Sequence, residues 1–273
     1  MTETKDTLSF WEHLDILRTV IVKTIAVWCI FSVFAFLFKE QLFNFVLAPK
    51  ESDFLTYRII ENFCNRFGFD IPESFHVQLI NTGLAQQFII HMKTALCAGI
   101  LCASPYILYQ LFRFVSPALY ADERKYAVKV VGGGYMMFII GVLASYYLIF
   151  PLTFRFLGTY QVAGDVTNMI SLQSYMEILI MMCLAMGIVF EMPVLCWLFG
   201  KLGFISEGFM RKYRKHAVVI ILFIAAIITP TSDIFTLTLV SLPMWILYEI
   251  SIFLVRPKEI PRQIDAAPTQ SVQ

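Results

Sequence analysis

Apolar positions along this chain fall into long, nearly unbroken blocks instead of the short stripes of a soluble helix. Residues 178–199 form a run of 22 in which Glu191 is the one charge. Uncharged runs also cover 94–112, 130–154 and 24–38, and the last extends back to Val20 across Lys23, whose long stem can snorkel to the surface. A helix needs about 20 residues to cross about 30 Å of hydrocarbon, so each block predicts a membrane span. Two shorter runs follow at 217–229 and 234–248, the second continuing past Glu249 to Val255. Thirteen residues rise only ~20 Å, and the intervening Pro230, Thr231, Ser232 and Asp233 read as a tight turn. One re-entrant hairpin would account for this pair. Two short spans are preferred, because basic flanks at both outer ends then fall on the same side, and short spans thin the bilayer locally.

The prediction is an all-α integral membrane protein with six transmembrane helices at about 19–38, 92–112, 128–151, 175–199, 215–229 and 234–255. These form a single membrane domain over 1–256, with a disordered cytoplasmic tail over 257–273. The first span has no small-residue cleavage site after it, so it reads as an uncleaved helix and not a secretory signal. The segment from about 49 to 93 is the one sizeable extramembrane piece and leads into a second helix that starts outside the bilayer. Arg113, Arg124, Lys125 and Lys129 share a side with Lys201, Arg211, Lys212, Arg214 and Lys215, and with both chain ends. The positive-inside rule then places both termini in the cytoplasm of a multi-pass inner-membrane protein.

Composition adds little to this beyond agreement: 58% hydrophobic, 15% charged, mean hydropathy +0.71. The net charge of +1 gives no reason to expect nucleic acid. Five of six cysteines (Cys29, Cys97, Cys102, Cys183, Cys196) sit in apolar runs and read as small hydrophobes; Cys64 alone falls in a polar segment. The histidines at 13, 76, 91 and 216 are scattered without ligand spacing, so no metal and no cofactor is expected. There is no P-loop, GxSG or HExxH, which argues against a catalytic residue set and against an enzyme.

Three places carry candidate chemistry. Near the N-terminus, Trp11, Leu14 and Leu17 line one side of a helix while Glu12, Asp15 and Arg18 follow another, as in an amphipathic helix lying at the interface before the first span. The second cytoplasmic loop, from Phe112 through Ser116 and Pro117 to Asp122, Glu123 and Arg124, reads either as solvated charge or as an acidic spot on a basic face. Such a spot can receive a cationic peptide by bidentate guanidinium–carboxylate pairing. Glu191 is costly at mid-membrane. It reads either as a hydrogen bond knitting two helices or as one side of a polar cavity. Pro193 cannot donate to the Val189 carbonyl, which leaves an acceptor beside that carboxyl. The run Gly132-Gly133-Gly134 reads as a site of close helix approach.

HLDILR at 13–18, SPYILYQLFRFVSPALYADER at 104–124, FEMPV at 190–194, ITPTSDIF at 228–235 and SLPMWILYE at 241–249 together resemble the TatC family. Its members are multispanning signal-peptide receptors of the twin-arginine protein translocase. The resemblance covers roughly 10–256. It implies a concave, glove-like arrangement of six helices, the fifth and sixth short. The implied function is Sec-independent export of folded proteins driven by the proton-motive force. The implied partners are twin-arginine signal peptides of folded precursor proteins and TatA/TatB-type single-span subunits, within the lipid bilayer and in a translocase holding several copies.

Residue by residue, the resemblance implies a signal-peptide site of Glu123, Phe114, Tyr120, Pro117, Leu119 and Arg124 with His13, Leu14, Leu17 and Arg18. Glu191 and Gln110 match intramembrane polar positions on the concave face. Pro49, Asp233 and Glu249 match structural or partner-contact positions. The chain departs from the family at Ile16, where a Glu is usual, leaving Glu12 or Asp15 to serve as a second carboxylate. It departs again in TPTSD, where TPPD is common. The competing reading is a secondary transporter with Glu191 as its proton or cation site; it expects further buried ionisable groups and internal repeats, and no repeat is visible.

Overall fold

A computed structural model of the chain describes residues 10–67, 78–115, 127–161, 163, 168–229 and 233–255. The turn at 230–232 and the tail at 257–273 lie outside the described residues.

Helix α1 (Phe10–Leu37) is unbroken over 28 residues. The amphipathic start expected to lie flat at the interface instead continues straight into the first span. At 1.5 Å per residue α1 is ~42 Å long, so its first turns project beyond the hydrocarbon. A short α2 (Lys39–Leu47), a 3-10 turn (Ala48–Lys50) and α3 (Leu55–Phe67) make up a cap between the first and second long helices. Strand β1 (Leu79–Ile80) precedes α4 (Gln86–Val115).

The third rod comprises α5 (Ala127–Ala144), a π-helical turn (Ser145–Ile149) and α6 (Phe150–Thr159). Strand β2 (Ile170–Ser171) pairs in parallel with β1, Leu79 opposite Ile170, and so ties the first and third interhelical segments together. The fourth rod is α7 (Leu172–Phe190) followed by α8 (Met192–Lys201), and Ser171 caps α7 by accepting from Ser174 N–H. The chain ends in α9 (Glu207–Lys212), α10 (Arg214–Ile228) and α11 (Ile234–Leu254).

Five helical stretches among the described residues are long and apolar enough to cross a bilayer: Leu14–Leu37, Gln86–Phe114, Val130–Thr159, Leu172–Lys201 and Ile234–Leu254. At 15 residues, α10 rises only ~22 Å. Helix α11 outruns its uncharged stretch, reaching 21 residues, because Glu249 is neutralised by Arg214 of α10 at 2.6 Å and does not end the helix. Of the last two helices, α10 is therefore the short one.

The core gathers where α6, α7 and α11 meet, around Ile149, Phe150, Tyr175, Met182, Met186 and Met244. Helix α5 comes against α7 at Gly141, where an added Cβ would sit 2.6 Å from the Met186 carbonyl oxygen. The cap is keyed onto the π turn and the start of α7 by hydroxyl-to-carbonyl bonds. Thr56 donates to Tyr147 O, Tyr146 to Phe45 O at 2.5 Å, and Tyr175 to Val46 O at 3.0 Å. Thr56 thus gives a carbonyl inside the π turn a side-chain donor from the cap.

Candidate functional site

Helices α1 and α4 pack antiparallel. Ser32 lies against Gly99, Phe36 stacks on His91 at 4.1 Å, and Trp28 Nε1 donates to Leu96 O at 2.9 Å. A side chain on Gly99 would come within 2.8 Å of the Ser32 Cα and N, so the backbones touch with no room for a methyl group. The antiparallel register puts the start of α1 and the end of α4 at the same end of the molecule.

Leu14, Asp15, Ile16 and Arg18 are all exposed there, Leu17 is half-buried, and Phe114 is half-buried in the last turn of α4. One turn deeper Gln110 is buried, donating from Nε2 to the Tyr106 hydroxyl at 2.5 Å. The side chains of Glu12 and His13 lie outside the described residues, as do Pro117, Leu119, Tyr120, Glu123 and Arg124. Because α4 ends at Val115 and α5 starts at Ala127, the connecting loop leaves from and returns to the end carrying Asp15 and Phe114.

Glu191 sits at the step between α7 and α8. Its N–H reaches back to Ile188 O at 3.1 Å, and helix resumes through Leu195 N–H to Glu191 O at 3.0 Å. Pro193, lacking an N–H, causes the step. The side chain is 8% exposed, and Oε1 has no hydrogen-bond partner among the described residues. Oε2 lies 3.0 Å from the place a Cβ on Gly134 would take. Of the two readings of Glu191, an interhelical hydrogen bond is absent among the described residues. The carboxyl instead occupies a slot opened by a glycine on α5. Within the Gly132–Gly133–Gly134 run, only Gly134 makes a close approach; a Cβ on Gly132 or Gly133 would meet nothing within 4 Å.

The other matched residues hold the frame. Pro49 is buried, and its carbonyl accepts the Tyr57 hydroxyl at 3.1 Å. Asp233 caps α11 by accepting from Thr236 N–H at 2.7 Å. Glu249 is taken by Arg214. Glu177 is paired with Lys93 at 2.9 Å, so neither of the acids nearest helix ends adds to Glu191 as a second unpaired carboxylate. Sequence reasoning passed over His91, which is buried between Phe36 and Phe43 with Nε2 unpartnered among the described residues. Its place at the very edge of the predicted second span, beside Met92, was the available signal. Among the described residues no cluster of three or more His, Cys, Asp or Glu has the form of a metal site.

Over residues 12–243 the chain matches the family model described as Sec-independent protein translocase protein (TatC). The chain belongs to the TatC family. A TatC of Blattabacterium sp. subsp. Periplaneta americana is 32% identical over 263 residues, covering 93% of this chain and 97% of the relative. That of Aquifex aeolicus is 33% identical over 246 residues, covering 89% and 92%. A crystal structure of the twin arginine translocase receptor TatC in DDM superposes with a TM-score of 0.75 at 32% identity, over 90% of this chain and all of the other. TatC membership makes this a multi-pass, all-helical membrane protein of Sec-independent protein translocation.

Proposed function

We propose that this chain is the signal-peptide receptor and multispanning core of a twin-arginine translocase in a bacterial cytoplasmic membrane, with both termini cytoplasmic. It crosses the bilayer six times, α10 being the short fifth span, and carries no catalytic centre. The observation that supports this reading best is the antiparallel α1–α4 pair. It brings the N-terminal motif to the end of the molecule from which the loop holding Glu123 departs.

Docking begins with two arginines of the signal peptide meeting Glu123 and a second acid. In this chain the second acid is Asp15, exposed on α1, or Glu12 one turn earlier, replacing the carboxylate absent at Ile16. Guanidinium offers a planar fork to carboxylate and lysine does not, which is how the site reads arginine and not charge alone. Phe114, Pro117, Leu119 and Tyr120 pack beside the pair, Arg124 shapes the loop, and His13, Leu14 and Arg18 complete the other wall. The apolar stretch of the peptide then follows the helices toward Gln110 and Glu191. TatA/TatB-type single-span subunits assemble there, further copies of this chain join, and the proton-motive force drives transport.

Purified protein titrated with Arg-Arg and Lys-Lys signal peptides tests the docking step. A charge-assisted hydrogen bond contributes about 1.5–3 kcal/mol, so Glu123→Ala weakens Arg-Arg binding about 10–100-fold. Equal affinity for both peptides, or none lost in Glu123→Ala, overturns it. Glu191→Ala should leave peptide binding intact and impair assembly with the single-span subunits; loss of initial binding would merge the two roles.

A further inference from the structure

Helix α3 is divided lengthwise into three sides, where a soluble amphipathic helix has two. At roughly 100° per residue, Thr56, Tyr57, Ile60 and Cys64 fall together, and these are buried or half-buried. Arg58, Glu61, Asn62 and Asn65 fall together on a second side, all exposed. Leu55, Ile59 and Phe63 recur every fourth residue on the third side, apolar and yet each more than half exposed. Exposed apolar side chains on the long helices are accounted for by the hydrocarbon those helices cross. At 13 residues, α3 is not one of them, so its stripe needs a different account.

The height of α3 is set by its contacts with the third rod. Thr56 donates to Tyr147 O and Tyr57 to Pro151 O, and the Arg155 guanidinium stands over the Tyr57 ring at 5.7 Å. The apolar run of that rod starts after Lys129, and Arg155 is the next charge. Counted from Lys129 at 1.5 Å per residue, Tyr147 lies ~27 Å and Pro151 ~33 Å along the rod, on either side of the ~30 Å thickness of the hydrocarbon. Tyr146 and Tyr147 are the residue type enriched at that level, and Leu148 in the same π turn is exposed on a membrane-crossing helix, where lipid surrounds it. The first turn of α3 thus stands at the boundary between hydrocarbon and headgroups, at the end of the bundle away from the N-terminus. A helix rising from there into water would lift Ile59 and Phe63 ~6 and ~12 Å clear of the apolar phase. Lying along the boundary, it immerses all three apolar residues and keeps the polar side in water. Arg66, in the last turn beside the stripe, has a stem long enough to cover hydrocarbon while its guanidinium meets a phosphate.

We propose that α3 is an interfacial membrane anchor. It lies in the plane of the leaflet opposite the N-terminus, with Leu55, Ile59 and Phe63 dipped among phospholipid acyl chains. Through Thr56 and Tyr57 it holds the cap, and with it the π turn, at a fixed depth in the bilayer.

The full-length protein in vesicles of phosphatidylethanolamine and phosphatidylglycerol provides the test, with two photoreactive lipids compared. One carries a diazirine high on its acyl chain, near the ester, and the other carries it at the methyl end. Peptides containing Ile59 and Phe63 should be labelled several-fold more by the shallow probe than by the deep one, and peptides from the middle of α1 more by the deep one. Ile59→Asp combined with Phe63→Asp should cut the α3 labelling several-fold, whereas Glu61→Gln, on the water-facing side, should leave it unchanged. Labelling of α3 at background, no preference for the shallow probe, or labelling undiminished in the double variant overturns the proposal. So does crosslinking of the stripe to a second copy or to another protein in place of lipid. The two-probe comparison uses the unaltered chain, and so decides the matter even if the double variant folds poorly.

Discussion

The Glu191 carboxylate fills the space that a side chain on Gly134 would need: Oε2 stands 3.0 Å from that Cβ position. The relationship joins α5 to the α7–α8 step across 57 residues of sequence and leaves no slack on the glycine side. Gly134→Leu should therefore displace the carboxyl and destabilise the protein by about 1–3 kcal/mol, the usual range for overpacking. Glu191→Ala should return much of that loss in the double variant. A double-mutant cycle on thermal unfolding in detergent checks this, and strict additivity would mean the two residues do not share the space.

A Cβ on Gly99 would meet Ser32 Oγ at 2.1 Å and, behind it, the Ser32 Cα and N at 2.8 Å. Gly99→Ala should cost stability on the order of 1–3 kcal/mol, and Ser32→Ala should rescue it only in part, because removing Oγ leaves the backbone atoms in place. In the proposed peptide site α1 and α4 form the two walls, so the same variant should weaken Arg-Arg peptide binding in parallel with Tm. Peptide titration and thermal melting of the two variants decide the matter together.

Tyr57 is buried in the cap, and its hydroxyl donates at 3.1 Å to both Pro49 O and Pro151 O. Burial holds its phenol well above the ordinary range, with the nearby Arg155 opposing only in part, so it remains a donor at any working pH. Tyr57→Phe leaves two carbonyls without this donor and should cost about 1–3 kcal/mol. Hydrogen exchange should quicken first in α3 and the 3-10 turn, ahead of the transmembrane core.

Asp53 pairs with Arg58 at the start of α3. The hydrogen bond from Arg58 holds the Asp53 carboxyl below its ordinary value of 3.8. A depressed folded-state pKa means the contribution is complete above the unfolded value and disappears as pH falls through the lower, folded one. Protection of the first α3 amides should thus be flat above pH ~3.9 and decline only below it. In Asp53→Asn that decline should be absent. Amide exchange across this range, in Asp53→Asn beside the unaltered chain, provides the measurement.

Much of the architecture is legible in the order of residues alone. Runs such as 178–199 have one physical explanation, because nothing but a bilayer or an equally apolar interior accepts that much uninterrupted hydrocarbon. Pro193 foreshadows the α7–α8 step, since its missing N–H is a local fact. The continuity of α1 is not legible in this way. Alternating polar and apolar residues at 11–18 fit an interfacial helix as well as the protruding end of a span, and only the packing of α1 on α4 selects between them. The extent of α11 is legible, since the predicted 234–255 runs past Glu249 much as the helix does; the pairing of Glu249 with Arg214 is not, because it joins residues 35 apart in sequence.

Local chemistry alone, through hydropathy, proline and motif spacing, set the class of protein and most helix positions. It also singled out the acids worth attention, because those properties depend on neighbours within a turn or two. Tertiary packing decided that Glu191 faces Gly134, that Ser32 touches Gly99, that the cap hangs on a π turn and that α3 meets the third rod at the level of Arg155. Each of these depends on how two helices far apart in sequence are set in rotation and depth. That setting follows from the fit of whole surfaces, which no single stretch of the chain encodes.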